Sequence, residues 1–227
     1  MHLIIGRAMT ALALCGVLVQ CSGGPAPTVS TPSAAPSAAA YRPEPATVAE
    51  VSASELGDSW SSDCPVTPAQ LRRVTLTYLG FDAQPHRGEL IVNKDLVSGV
   101  IAIFERLYRL EYPMEKMRTV VHYAGADDEL SMEDNNTSAF NCRRIPGSGN
   151  WALHAYGRAI DVNPLLNPMV TGSDYQPKNA AVYLDRHRIE PGLLHAGDPA
   201  VRAFTDAGWD WGGYWTSPKD YQHFERN

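Results

Sequence analysis

Apolar and polar positions first fall into a clear rhythm at 74–81 (VTLTYLGF), where alternation and β-rich residues predict a strand. A second strand is expected at 88–93 (GELIVN), with the polar stretch 82–87 joining the two as a hairpin. The period then changes. Val97, Val100, Ile101, Phe104, Leu107 and Tyr108 recur at helical spacing, which predicts a helix over 95–112 stopped by Pro113. Ahead of the hairpin, Thr67 followed by Pro68 predicts a short helix within 65–71. Downstream, 118–123 (RTVVHY) reads as a strand, with His122 a half-buried strand histidine rather than a ligand. The polar stretch 124–137 reads as a loop, 138–144 (SAFNCRR) as extended, and 146–150 (PGSGN) as a turn. A strand over 159–163, a loop over 163–176, a helix opened by Asp198-Pro199 and ending near Gly208, and strands within 209–215 and 221–224 complete the pattern. Strands and helices mix without regular alternation, so the fold class expected is α+β rather than a parallel α/β sheet.

The pattern fails at the front of the chain, and composition explains why. Residues 1–21 join a positive charge at Arg7 to the apolar run 8–19, too short for a membrane span and suited to a signal peptide. Cys21, after Leu18-Val19-Gln20, resembles a lipoprotein processing site, although Gln20 stands where a small residue is usual. Lipid on Cys21 or ordinary cleavage nearby are the two expectations, and both place the chain outside the cytoplasm: secreted, in the cell wall, or on the outer face of a membrane. Residues 22–60 are expected to be a flexible tether, because the stretch from Ser22 is dominated by Pro, Ala, Ser and Thr. The folded part is then one domain, 61–227. A net charge of −6 without a basic stripe argues against nucleic acid as a partner. A monomer is expected. Cys64 and Cys142 remain for the exported domain, and a disulfide between them is the expected state.

The chemistry concentrates in two stretches, 153–164 (LHAYGRAIDVNP) and 219–225 (KDYQHFE). His154, Asp161 and His223 form a three-ligand set for Zn2+ with one coordination position left open. Asp220 is then left over as the general base that such a site requires. Arg143 is the first choice for the positive group facing an oxyanion, with Arg144 and Arg158 competing. Gly157, Trp209, Trp211, Tyr214 and Trp215 are candidates for a substrate groove or for the core.

SAFNCR, LHAYGRAIDVNP, WDWGGYW and DYQHF, in that order, resemble the M15 peptidases, which are zinc D-alanyl-D-alanine carboxypeptidases and related peptidoglycan endopeptidases. The resemblance runs over 64–224. It implies zinc at His154, Asp161 and His223, Asp220 as base, Arg143 as the oxyanion- or substrate-holding arginine, and Ser138 lining the cleft. Tyr156, inside the first motif, is taken as a further substrate contact. The implied fold is a small antiparallel sheet flanked by helices, shared with hedgehog domains, and the implied partners are peptidoglycan stem peptides. Asp at 220, where several members carry Glu, looks like the branch of L-alanyl-D-glutamate endopeptidases. The resemblance therefore leaves the scissile bond open. The rival expectations are a non-catalytic zinc-containing cell-wall binding protein and a zinc hydrolase with another substrate.

Overall fold

The computed structural model describes residues 43–227. The expected signal peptide, Cys21 and the greater part of the expected tether lie outside the described residues. Along the chain the elements are β1 (Thr47–Glu50), α1 (Ala53–Leu56), β2 (Leu71–Leu79), β3 (Pro85–Asn93), α2 (Val97–Arg109), β4 (Lys116–Met117), α3 (Asp128–Glu133), β5 (Asn136–Thr137), β6 (Ala159–Asp161), β7 (Met169–Thr171), β8 (Asp174–Gln176), α4 (Pro199–Thr205), β9 (Asp210–Trp211), β10 (Lys219–Asp220) and β11 (His223–Glu225). Short 3-10 turns join them. This is an α+β chain with small, mostly antiparallel sheets.

The hairpin β2–β3 forms in the expected place, in continuous register from Leu71 opposite Asn93 to Leu79 opposite Pro85. α2 lies against it. Val100, Ile103, Phe104 and Leu107 are buried with Val74, Leu76, Leu90 and Val92 in the main core. Each such side chain contributes roughly 1.5–3 kcal/mol by leaving water. The same core reaches a second sheet, ordered β6-β11-β9. Phe204 of α4 stacks on Phe224 of β11 at 3.9 Å and meets Phe104 of α2 edge-on at 6.2 Å. The strands that carry the chemistry therefore rest on the most densely aromatic part of the core.

Four expectations need correction. The tether does not run to residue 60, because β1 pairs with β2 from Thr47↔Thr75 to Glu50↔Arg72. All four β1 side chains are exposed, so the strand is held by backbone pairing and leaves no mark on composition. Val51 and Leu56, just after it, are buried in a second cluster with Val66, Leu71, Ile91 and Phe140. The strand expected at 118–123 is absent. Asn136 uses its side chain to accept from Arg118 N–H at 2.8 Å and donate to Arg118 C=O at 3.0 Å, and the ladder stops there. His122 lies on a 3-10 turn, paired through Nδ1 with Thr119. Within the expected loop 124–137, α3 starts where Asp127 accepts from Leu130 N–H at 2.9 Å. Within the expected loop 163–176, β7 and β8 pair, and β10 joins them across β7.

The other departures are matters of length. Three-residue 3-10 geometry replaces the short helix at Pro68–Gln70, where Gln70 accepts from Thr67 N–H. β9 is two residues long and turns into a 3-10 segment at Gly212–Tyr214.

Candidate metal centre and catalytic site

β6 and β11 pair antiparallel with His223 directly opposite Asp161. Directly opposed side chains share one face of a sheet, which brings the second and third candidate ligands together from positions 62 residues apart. His154 comes from the 3-10 turn Leu153–Tyr156. Gly157 closes that turn at φ 67°, a left-handed conformation that suits glycine, and folds the chain back into β6. Glycine is also required sterically, because a Cβ at 157 would lie 2.6 Å from Asn93 N and 2.9 Å from a Leu71 methyl. The turn is pinned to the end of β3 by Asn93 N–H donating to Gly157 C=O at 2.8 Å.

The result is a tight triangle. His154 Nε2 lies 3.2 Å from His223 Nδ1 and 3.2 Å from Asp161 Oδ2, and His223 Nδ1 lies 3.0 Å from Asp161 Oδ1. All three residues are buried. Ligands at zinc bond lengths of about 2.0–2.1 Å in a tetrahedron are separated by roughly 3.3 Å, so this donor set fits a zinc ion in both chemistry and spacing. It is the cluster of His, Cys, Asp and Glu among the described residues that could hold a metal ion. The outward ring nitrogens are also engaged: His154 Nδ1 with Ala139 C=O, and His223 Nε2 with Glu225 Oε2 at 3.0 Å.

Electrostatics follow from this packing. Burial raises the Asp161 carboxyl, but the charges and hydrogen bonds of His154 and His223 outweigh it and hold Asp161 well below the usual carboxylate range. Burial pushes His223 down, yet its bonds to Asp161 and Glu225 bring it up to about 10. A metal taking Nδ1 would displace that proton.

Asp220, on β10, is buried and differs in kind. Burial raises its carboxyl to about 6, with Asp161 adding to the rise and His223, His154 and Arg143 opposing it. Its Oδ1 is buried without a hydrogen-bond partner among the described residues. A Cβ at Gly212 would come within 2.8 Å of Asp220 Cβ, so Gly212 lets β10 close over the site.

Arg143 pairs with Asp128 at 2.8 Å and stays about one-third exposed. Burial works against its charge, while Asp128, Asp161 and Asp220 support it and raise it further. The competing arginines are occupied elsewhere. Arg144 stacks over Trp151 at 4.0 Å, and Arg158 turns toward Asp95 and the Arg226 carbonyl. Ser138 forms a two-bond backbone bridge with Asp161, at 3.0 and 2.9 Å. Tyr156 is half-buried and packs against the second cluster. Trp209 and Trp211 are buried core residues, whereas Trp215 is half-buried with its ring 5.4 Å from His223. Spacing alone pointed to none of Glu225, Asp128 and the Ala139 carbonyl. Glu225 had one available signal, its place two residues after His223 on a strand, where both side chains share a face. A cavity of about 290 Å3 between Tyr112, Gly192 and Ala200 shares no lining residue with the site.

Residues 146–226 match the family model for D-alanyl-D-alanine carboxypeptidase. This segment is of the M15 peptidase family. The M15 match contains His154, Asp161, Asp220 and His223, and leaves Ser138 and Arg143 upstream of it. No curated protein and no solved structure matches the chain. Cys64 and Cys142 are joined in a disulfide with Cα atoms 5.9 Å apart, and Cys142 N–H donates to Ser59 C=O at 3.0 Å. The extended segment that carries Arg143 is thereby tied to the residues before β2.

Proposed function

We propose that this chain is an exported zinc peptidase that hydrolyses peptide bonds in peptidoglycan stem peptides. The observation that carries the reading is the buried His154–Asp161–His223 triangle with Asp220, one of whose oxygens is buried without a partner among the described residues, close enough to feel the charge of all three. A binding protein that kept zinc as a structural element would have no use for a buried acid lacking a partner. The M15 match supports D-alanyl-D-alanine termini as the substrate class, and neighbouring bonds of the same peptides belong to the same reading. The finer fold assignment, a DD-peptidase and hedgehog-like zinc fold, is part of this reading.

His154 Nε2, His223 Nδ1 and one oxygen of Asp161 would hold the ion, which supplies Lewis acidity at neutral pH. Asp220 accepts the proton of the attacking water and returns it to the departing amine; a base whose pKa sits near the working pH can do both. Arg143 offers positive charge to the oxygen that becomes anionic, or to the carboxylate of a D-alanine terminus, and Asp128 holds that guanidinium in place. Ser138 lines the cleft through its bridge to Asp161. The domain is secreted, held in the wall, or anchored by lipid at Cys21, and acts as a monomer.

The test is digestion of purified stem peptides, read by mass spectrometry with and without a chelator. Loss of one alanine that the chelator abolishes is expected of a carboxypeptidase, and an internal cut of an endopeptidase. A folded, zinc-loaded sample that cleaves none of the peptides would leave the binding-protein reading in its place.

A further inference from the structure

We infer that Glu225 is the positioning residue that fixes the orientation and tautomer of His223, so that Nδ1 is the atom presented to the metal. The inference rests on the zinc reading above and names a residue outside the ligand and base set.

An imidazole cannot offer both nitrogens to one ion, so something must decide between them. For His154 the decision is made by main chain, because Nδ1 faces the Ala139 carbonyl and Nε2 is left for the site. For His223, among the described residues, both nitrogens meet side chains and not a backbone carbonyl. Glu225 stands two residues on in β11, on the same face of the strand, and its Oε2 lies 3.0 Å from His223 Nε2. A carboxylate can only accept there, so Nε2 keeps its proton, and a metal that displaces the proton of Nδ1 would find that nitrogen's lone pair. On the other side of the ring the two other candidate ligands meet at Nδ1, with Asp161 Oδ1 at 3.0 Å and His154 Nε2 at 3.2 Å. Glu225 is itself held by the ladder, opposite Ala159 of β6 and Asp210 of β9. Its side chain is 22% exposed, which places the carboxylate at the rim of the site. Outer carboxylates of this kind raise ligand basicity, and their removal typically costs about 10–100-fold in metal affinity.

Two measurements test this. Long-range proton–nitrogen correlation on the zinc-loaded protein reports which ring nitrogen of His223 is metallated. Zinc affinity by chelator competition is then compared for wild type, Glu225→Leu and Glu225→Gln. The expected spectrum has Nδ1 metallated and Nε2 protonated. Glu225→Leu, similar in bulk but without an acceptor, is expected to bind zinc about 10–100-fold more weakly, and Glu225→Gln, whose amide oxygen still accepts, to fall between. A spectrum with Nε2 metallated overturns the proposal whether or not the variants fold. So does zinc binding by Glu225→Leu within twofold of wild type. A wild-type protein that binds no zinc overturns the zinc reading itself, an outcome distinct from both.

Discussion

Asp220 is held differently from other acids shifted by their neighbours. Asp161 and Asp134 are both held low by the cationic or hydrogen-bonding groups around them, against the opposing effect of burial. Asp220 is buried with one oxygen unpartnered, and burial raises it to about 6. The unfolded chain ionises this residue near 3.8 while the folded apoprotein keeps its proton up to about 6. The contribution of Asp220 to apoprotein stability therefore falls as pH rises from about 4 to about 6 and stays lower above that, by on the order of 1–3 kcal/mol. Asp220→Asn removes this penalty. It is expected to melt higher than wild type at pH 8 without metal, and to lose that advantage at pH 4; equal melting temperatures at pH 8 would show the carboxylate to be solvated. The same variant, and Asp220→Ala, are expected to keep zinc and lose about 10²–10⁴-fold in turnover. Loss of zinc from either would make Asp220 a ligand, and near-normal turnover would remove it from the mechanism.

At the scale of elements, the site depends on how one short turn is seated. The His154 turn meets the end of β3 through Gly157, whose Cα approaches backbone so closely that no side chain fits. Gly157→Ala adds a methyl group at a positive φ and overpacks Asn93 and Leu71. The expected cost is roughly 2–4 kcal/mol in denaturant melts, with weaker zinc binding because His154 shifts with its turn. A variant of wild-type stability and affinity would show the turn to be pliable. The elements legible in the sequence were those whose side chains carry the period: the β2–β3 alternation, the apolar face of α2, and the Asp198-Pro199 opening of α4. Those that were not legible rest on other forces. β1 exposes every side chain, α3 is started by the Asp127 cap, and the β4 ladder is ended by the Asn136 side chain bonding to Arg118. The three candidate ligands could be named from residue type and spacing, but not the pairing that sets His223 opposite Asp161, because antiparallel register between distant segments leaves no local trace. Tyr156 packs against the second cluster, a placement that its position inside the motif does not reveal.

At the scale of the molecule, the described residues form two apolar clusters, and the Arg143 segment runs along the smaller one. Phe140 is buried in it, Cys142 packs against it, and the Cys64–Cys142 bond closes a separation of 78 residues. A cross-link over a loop of that length restricts the unfolded chain by up to about 4–5 kcal/mol in the chain-entropy account. Its placement gives the bond a second consequence. Arg143 directly follows Cys142, and the pair to Asp128 depends on where that segment lies. The double variant Cys64→Ala/Cys142→Ala is expected to melt roughly 5–15 °C lower than wild type. At temperatures well below its melting point it should keep zinc, because none of the three ligands lies on the tethered segment. Its KM for stem peptides should rise more than its kcat falls if Arg143 holds the substrate carboxylate, and kcat should fall alone if Arg143 serves the oxyanion. Unchanged kinetics would show that Asp128 alone positions the guanidinium. A thiol titration of the native oxidised wild type should find neither Cys64 nor Cys142 reactive; two reactive thiols at these positions would mean that the bond does not form.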